Sequence, residues 1–170
     1  MMKDAKEFLL AQARYNLWAD KRIADVFSRM SEESFLRETK SSFPTIRKTA
    51  FHIWDAEHIW LQRLKGVSPA DWNSRSLPAD ADPRMFVKGA EDFLAFLEMQ
   101  DESFFTASTS FKDMKGNPYT MQNAQMIFHC MNHGTFHRGQ LVTMIRESGW
   151  TEKLPSTDMI TYFREVNGMP

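Results

Sequence analysis

The chain has 170 residues, 42% hydrophobic and 25% charged, so it is long enough for one domain with a buried core and is not of disordered composition. Its 21 Lys and Arg nearly balance its 22 Asp and Glu, and no basic excess indicates a nucleic-acid partner. The single cysteine, Cys130, excludes an internal disulfide framework, and the charged N-terminal segment predicts neither a signal peptide nor a membrane span. We therefore expect a single-domain cytoplasmic protein spanning residues 1–170.

Amphipathic periodicity predicts two long helices in the first half of the chain. The first covers Lys3–Met30; only Arg22 interrupts its apolar stripe, and the adjacent Ile23 can replace it there. The second covers Pro44–Gly66, because proline is tolerated in a first turn and glycine is typical of a helix end. An irregular loop rich in turn-forming residues follows, with the sequence GVSPADWNSRSLPADADP.

The second half of the chain predicts two further long helices and a short last one. The third helix covers Pro83–Phe105, and residues 106–119 place the turn sequence KGNP between short β-compatible stretches, with negligible strand content. The fourth covers Thr120–Ser148 and ends at Gly149. A short helix, Ser156–Glu165, completes the chain. The expected fold is therefore an all-α four-helix bundle with a short C-terminal helix.

Three histidines recur at a helical interval in the fourth predicted helix, NAQMIFHCMNHGTFHRGQLV. Residues four apart lie about 6 Å apart on one helix face, so two such imidazoles can share one transition-metal ion. A third imidazole from a facing helix would complete a three-nitrogen site that keeps coordination positions free, as catalytic sites do. The apolar stripe places His133 and His137 inward and His129 nearer the rim.

The second predicted helix offers His52 and His58 as the third nitrogen ligand. His52 lies at one edge of the apolar stripe and His58 on the outward side, so periodicity prefers His52 only slightly and leaves both open. Glu57 falls inside the stripe, where a carboxylate needs a cation, a hydrogen-bond donor or a proton. It can steady a metal ligand or act as a base, or it can form a structural salt bridge with Arg22 or Arg138.

The sequence does not contain the other common catalytic motifs. HGTFH lacks the glutamate of HExxH proteases, no helix carries the Glu-x-x-His pair of di-iron bundles, and neither GxSxG nor a glycine-rich phosphate loop occurs. Cys130 precedes His133 by one turn and can be a soft fourth ligand, a reactive thiol or, most commonly for such a residue, core filler. Histidines on an apolar face are often simply hydrogen-bonded, but two neighbouring buried rings favour a shared cation.

The run HCMNHGTFHRGQLVTMIRESGW resembles the signature helix of the DinB (damage-inducible) family, within the DinB/YfiT-like metalloprotein superfamily. Three further segments agree in order, so that the similarity covers nearly the whole chain: ARYNLWADKRI, TAFHIWDAEHIWLQRLKG and LPSTDMITYFRE. The resemblance implies an up-down-down-up bundle, often homodimeric. It also implies a metal triad at His52, His133 and His137, which leaves His129 outside and selects His52 over His58.

The resemblance further implies the chemistry. Family members are described with nickel or zinc, many as metal-dependent hydrolases, and relatives in the superfamily use low-molecular-weight thiols; the fold does not choose among these. We expect a divalent metal ion that activates water or a thiol against a small-molecule substrate. Glu57 is the expected proton acceptor, Gln140 would orient the attacking group, and Arg138 could pair with an anionic substrate or a carboxylate.

The alternative function is that of a non-catalytic metal-binding stress or damage-response protein. Its metal ion would only tie the second helix to the fourth, and the site would be closed by a fourth protein ligand such as Cys130. Neither function requires nucleic acid or a membrane as a partner.

Overall fold

A computed structural model describes residues 4–169, so Lys3, the start of the first predicted helix, lies outside the described residues. Within this range the chain forms α-helices, one small β-hairpin and two 3-10 turns, Asn73–Ser76 and Pro83–Phe86. In chain order the elements are α1 (Ala5–Phe27), α2 (Glu32–Leu36), α3 (Ile46–Leu64), α4 (Val87–Glu98), α5 (Glu102–Thr106), β1 (Ser108–Lys112), β2 (Pro118–Gln122), α6 (Asn123–Glu147) and α7 (Met159–Val166).

The four long helices form a bundle in which α1 and α3 each pack against both α4 and α6. The core at one end combines the start of α1, the ends of α3 and α4 and the start of α6: Leu9, Leu10, Leu61, Leu64, Phe93, Leu97, Met126 and Ile127. The core at the opposite end combines the end of α1, the start of α3, the turn before α4 and the end of α6: Ile23, Val26, Phe27, Ile46, Ala50, Ile53, Phe86, Leu141, Met144 and Ile145. Helices α1 and α6 therefore run one way and α3 and α4 the other.

This order confirms the predicted four-helix bundle and its up-down-down-up arrangement. The connection between the parallel helices α3 and α4 must cross the length of the bundle, and the proline-rich loop after Gly66 does so. Among residues 4–169, no helix is long and apolar enough to cross a membrane.

Helix α1 is shorter than predicted at its C-terminal end. The chain leaves the α-helical pattern after Phe27, because the amide of Met30 bonds to the carbonyl of Phe27 in a tighter turn. Arg22 is turned to the surface, where it pairs with Glu165, and the neighbouring Ile23 is fully buried. The predicted replacement of Arg22 by Ile23 in the apolar face is thus correct.

The ends of α3 and α6 are fixed by local capping. The hydroxyl of Thr45 accepts a hydrogen bond from the amide of Lys48 at 3.1 Å, which makes Thr45 the N-cap and leaves Pro44 just outside the helix. Beyond the C-terminal ends, Gly66 and Gly149 have φ angles of 76° and 96°. Because side chains disfavour this left-handed region, glycine is the residue expected at these positions.

The prediction of one continuous third helix over Pro83–Phe105 is wrong. A 3-10 turn precedes α4, and α4 ends at Glu98, after which α5 begins as a separate helix. The break is explained by Asp101, whose carboxylate accepts a hydrogen bond from the amide of Phe104 at 3.2 Å and so caps a new helix.

The segment before α6 is a β-hairpin, so the expectation of negligible strand content understated it. Strands β1 and β2 are antiparallel, with Ser110 opposite Thr120, and the KGNP sequence supplies the turn, where Gly116 has a φ angle of 86°. Since Thr120 is paired in the strand, α6 starts at Asn123 and not at Thr120.

The last helix, α7, packs its aromatic side chains against α1. It begins at Met159, after the N-cap Asp158, and not at Ser156. The ring centroid of Tyr162 lies 5.9 Å from that of Tyr15, whose hydroxyl donates to the carbonyl of Thr157 at 2.8 Å. Helix α7 thereby packs against α1.

Gly89 determines how closely α4 approaches α3, and this closeness is testable. A Cβ atom there would clash with Glu57 Oε2 and lie 3.0 Å from Trp54 Cδ1, whereas one added at Gly139 on α6 would meet no atom within 4 Å. We expect Gly89→Ala to lower the free energy of unfolding by about 1–2 kcal/mol through overpacking. Gly139→Ala should raise it by about 0.5–1 kcal/mol through helix propensity.

Urea unfolding followed by far-UV circular dichroism measures both changes. A Gly89→Ala protein as stable as the Gly139→Ala protein would show that α4 and α3 are not packed this closely.

Candidate metal centre

Helices α3 and α6 bring His52, His133 and His137 together in the bundle. One potential ligand atom from each of the three side chains lies within 4.8 Å of the other two. The closest pair is His52 Nε2 and His133 Nε2, which are 3.0 Å apart. The spacing of four residues on α6 aligns His133 with His137, and the packing of α3 against α6 supplies His52.

The ring of His137 is held by a residue of its own helix. With its proton on Nδ1, His137 donates a hydrogen bond of 2.7 Å to Gln140 Oε1. This tautomer leaves the lone pair of Nε2 free to bind a metal ion, and the hydrogen bond fixes the orientation of the ring. Gln140, which sequence analysis placed beside the attacking group, therefore contacts a histidine of the cluster directly.

Aromatic side chains surround the histidine cluster. Phe43 stacks on His52 with ring centroids 3.8 Å apart and meets His137 edge-on at 5.7 Å. Trp72 lies 5.7 Å from His52, and Phe136 lies 5.0 Å from His137. These rings reduce the access of water to the imidazoles from several sides.

Burial keeps the three imidazoles neutral. Desolvation, with a smaller contribution from His137, lowers the pKa of His52 to about 4. Desolvation and the neighbouring histidines lower the pKa of His133 to about 3, and desolvation also lowers the pKa of His137 against the opposing effect of Gln140. At neutral pH, all three rings therefore offer lone pairs and no positive charge.

This donor set fits a divalent transition metal. Two nitrogens that share a tetrahedral zinc ion at about 2.1 Å lie roughly 3.4 Å apart, and the nearest pair here is slightly closer, at 3.0 Å. Neutral imidazole is a preferred ligand of zinc and nickel. His52, His133 and His137 could therefore hold such an ion and leave coordination positions for other ligands.

The other histidines and the cysteine lie outside this cluster. His129 packs edge-on against Trp60, with ring centroids 4.8 Å apart, at the exposed rim of α6. His58 lies beside Trp54 at 6.3 Å. Cys130 is buried in the apolar core, where desolvation raises the pKa of its thiol, and it is not part of the histidine group. These positions agree with core filler for Cys130.

Glu57 belongs to a second buried cluster, made with Asn16, Asp20 and Arg138. Glu57 Oε1 accepts a hydrogen bond of 2.7 Å from Asn16 Nδ2. Arg138 Nη1 donates to Asn16 Oδ1 at 2.5 Å and to Asp20 Oδ1 at 3.0 Å. In the part of the chain that the structure describes, no hydrogen bond joins Glu57 to the three histidines. Arg138 is 1% exposed and paired with Asp20, so the structural ion pair accounts for it.

Asn16 and Asp20 were missed in the sequence analysis. They lie four residues apart on the inward face of α1, and both are at most 1% exposed. The signal in the sequence was that Asn16 and Asp20 lie on the same helix face as Ala13, Ala19 and Ile23. A face that is apolar enough to be buried therefore carries two polar side chains.

The cluster contains two carboxyl groups and one guanidinium, so its charges do not balance unless a proton is bound. Desolvation, and next the charge of Asp20, raise the pKa of Glu57 well above its ordinary value. Desolvation also raises the pKa of Asp20 to about 6, against the effect of Arg138. Glu57 Oε2 has no hydrogen-bond partner. We infer that Glu57 holds the proton while Asp20 and Arg138 form the ion pair.

The fold and the site together define a helical-bundle protein with a three-histidine cluster between its second and fourth long helices. The model of the DinB family matches residues 1–165, and the chain belongs to this family. It is 23% identical over 163 residues to the Protein DinB of Bacillus subtilis (strain 168), a match that covers 85% of this chain and 88% of the relative.

Two solved structures share the fold. A DinB-like protein from Bacillus cereus ATCC 10987 superposes with a TM-score of 0.67 at 21% identity, covering 92% of this chain and 99% of that one. A DinB-like protein from Bacillus subtilis gives a TM-score of 0.65 at 17% identity, covering 86% and 97%. At these identities the likeness shows the fold alone, so the chemistry must be argued from the site.

The role of the three histidines is tested by metal retention. We expect His133→Ala and His137→Ala to abolish stoichiometric zinc retention after desalting, because each removes one of three nitrogen ligands. His58→Ala should retain zinc like the unmodified protein. Metal content is measured by plasma mass spectrometry, with circular dichroism as a check on folding; equal retention in all three variants would refute the proposed ligand set.

The protonation of Glu57 predicts a pH-dependent stability. Because its folded pKa is raised, the native state binds more protons than the unfolded state above the ordinary pKa of Glu, and stability falls as pH rises toward the raised pKa. Glu57→Gln mimics the neutral acid and should remove this loss. The variant should gain stability relative to the unmodified protein as the pH rises above the ordinary pKa of Glu, as measured by urea unfolding.

Asp20→Asn is the matched control, since it leaves Arg138 without a charged partner. It should be less stable than the unmodified protein across this pH range. Parallel pH profiles for the unmodified protein and Glu57→Gln would contradict a protonated Glu57.

Proposed function

We propose that this DinB-family protein is a metal-dependent enzyme acting on small molecules, either a hydrolase or a thiol S-transferase. His52, His133 and His137 would hold the divalent ion, zinc or nickel. A metal ion in this position supplies a Lewis acid that lowers the pKa of a bound water or thiol toward about 7. The observation that carries the proposal is the convergence of three neutral imidazoles from two helices.

The alternative of a closed, purely structural metal site requires a fourth protein ligand. Within residues 4–169, the group that could hold a metal ion contains only the three histidines, and Cys130 is not among them. Three nitrogens leave positions for water, thiol or substrate, which distinguishes a catalytic site from a structural one. This ligand count favours the enzyme.

The surrounding residues provide what such a reaction needs besides a metal. A pocket of about 440 Å³ has His52 in its wall, a size within the range of small-molecule sites. Phe43 and Trp72 flank His52 and limit its contact with water. Limited water favours reaction with the bound molecule and strengthens electrostatic interactions inside the site.

We assign Gln140 and Glu57 different roles. Gln140 is proposed as a positioning residue, because its carbonyl oxygen accepts the Nδ1 proton of His137. Glu57 was expected to take a proton during the reaction. Its burial, its raised pKa and its bond to Asn16 instead support a role in fixing α3 against α1 and α6.

The choice of nucleophile and the assembly rest on family resemblance. A low-molecular-weight thiol as co-substrate, a homodimer and a cytoplasmic location are proposals of this kind. Hydrolysis and thiol transfer use the same metal site and differ only in the group that attacks, so one assay design can separate them.

The proposed activity is tested on protein purified without an affinity tag, after its metal content has been measured. Hydrolysis of 4-nitrophenyl acetate and transfer of cysteine, bacillithiol or mycothiol to 1-chloro-2,4-dinitrobenzene are followed by absorbance. We expect one of these reactions to exceed the rate of His133→Ala and of chelator-treated protein. Equal rates for the zinc- or nickel-loaded protein and His133→Ala in every assay would instead support the non-catalytic metal-binding function.

The positioning role of Gln140 predicts a change in metal affinity. We expect Gln140→Ala to weaken zinc binding about 10- to 100-fold, because the ring of His137 loses its hydrogen-bond acceptor. Gln140→Glu should restore binding, since a carboxylate accepts the same proton, and Thr143→Ala, one turn further along α6, should have no effect. Competition with a chelating indicator measures the affinities; an unchanged affinity in Gln140→Ala would exclude this role.

A further inference from the structure

The pocket beside His52 is lined by both aromatic and cationic side chains. Three aromatic side chains, Phe43, Phe51 and Trp72, contribute to it together with two cationic ones, Lys48 and Arg75. We infer that this His52 pocket binds a flat, anionic organic molecule, such as an aromatic acid, with Lys48 recognising its negative charge. The inference rests on the proposed function in one respect: the molecule would be the substrate that the pocket presents to the metal site.

The aromatic walls favour a planar guest. Phe43 is already stacked on the ring of His52, with an interplanar angle of 21°, and Trp72 approaches His52 at 5.7 Å from a different direction. Aromatic rings bind other π-systems by offset stacking or edge-on contact, in addition to the gain from apolar burial. A volume of about 440 Å³ is sufficient for a molecule of one or two rings.

The position of Trp72 is built by the chain and does not depend on a guest. Asp55 on α3 is 3% exposed, and one of its oxygens accepts the amide of Ser74 at 2.8 Å while the other accepts the Ser74 hydroxyl. These bonds fasten the turn Asn73–Ser76 to α3, directly after Trp72. The wall of the pocket is therefore pre-formed, which reduces the entropy lost on binding.

Of the two cations that line the pocket, Lys48 is the one that forms no ion pair among the described residues. Arg75 forms an ion pair of 2.6 Å with Asp71, and Asp55, the carboxylate in the wall, has both oxygens bonded to Ser74. The side chain of Lys48 is exposed to solvent.

Lys48 precedes His52 by one helical turn, so both side chains project from the same face of α3. An anion that pairs with Lys48 can therefore place the rest of its molecule between Phe43 and Trp72, next to His52. Lys48 is therefore available to pair with an anionic guest, which favours such a guest over a neutral one.

The test uses 2-naphthalenesulfonate as the probe, because a sulfonate is a weak metal ligand and its binding reports the pocket. The neutral probe is 2-naphthalenemethanol. Titration calorimetry is carried out on the zinc-loaded protein, on the metal-free protein and on the variants Lys48→Met, Trp72→Leu and Lys40→Met. Lys40→Met is the matched control, since Lys40 is also exposed but lines a different pocket beside Gln140.

We expect Lys48→Met to weaken binding of the sulfonate about tenfold, as for loss of a charge-assisted contact, and to leave the neutral probe unchanged. Trp72→Leu should weaken both probes, and Lys40→Met neither. No binding of the sulfonate at millimolar concentration would overturn the inference. So would equal affinities for Lys48→Met and the unmodified protein, or an equal loss in Lys40→Met.

Failure of this inference can be told from failure of the proposed function. If zinc is retained and turnover occurs but the sulfonate does not bind, only the substrate class is wrong. If zinc is not retained by the three histidines but the sulfonate binds in a Lys48-dependent way, the pocket stands and the metal-dependent activity does not.

Discussion

The packing of α3 against α6 is the interaction on which the candidate site depends. It places His52 Nε2 3.0 Å from His133 Nε2, and His133 and His137 share one face of α6. Three imidazoles this close would repel one another if they were protonated, and burial already disfavours their charged forms. A cation that accepts all three lone pairs satisfies the same groups without positive charge on the rings. The packing of α3 against α6 therefore sets the geometry of the three potential ligands.

The same helices are joined by a second set of buried polar contacts. Asn16 links α1 to Glu57 on α3, and Arg138, the residue after His137, bonds to Asn16 and Asp20. Buried polar groups of this kind contribute little net stability but are costly to break, because each lost partner leaves an unpaired group. They consequently fix the relative positions of α1, α3 and α6. Because the three histidines lie on α3 and α6, these contacts also fix the positions of the histidines.

The fold, the metal site and the pocket each bear on a different aspect of function. Family membership and the solved structures establish the helical bundle, which by itself does not select a reaction. The histidine cluster is a possible metal site, and activation of water or a thiol there is our proposal. Under that proposal, the loop between α3 and α4 would contribute to substrate selection, since it brings Trp72 to His52.

The sequence was enough to predict the presence of four long helices and the inward positions of His133 and His137, because helical periodicity is a local property. It could not decide between His52 and His58 from periodicity, and it missed the break at Asp101 and the β-hairpin, where capping and strand pairing override a continuous apolar pattern. The partners of Glu57 became apparent only from the packing of the helices. They depend on the rotation of α1 and on the approach of α4 at Gly89, and such distances between separate helices are not contained in the pattern of any one of them.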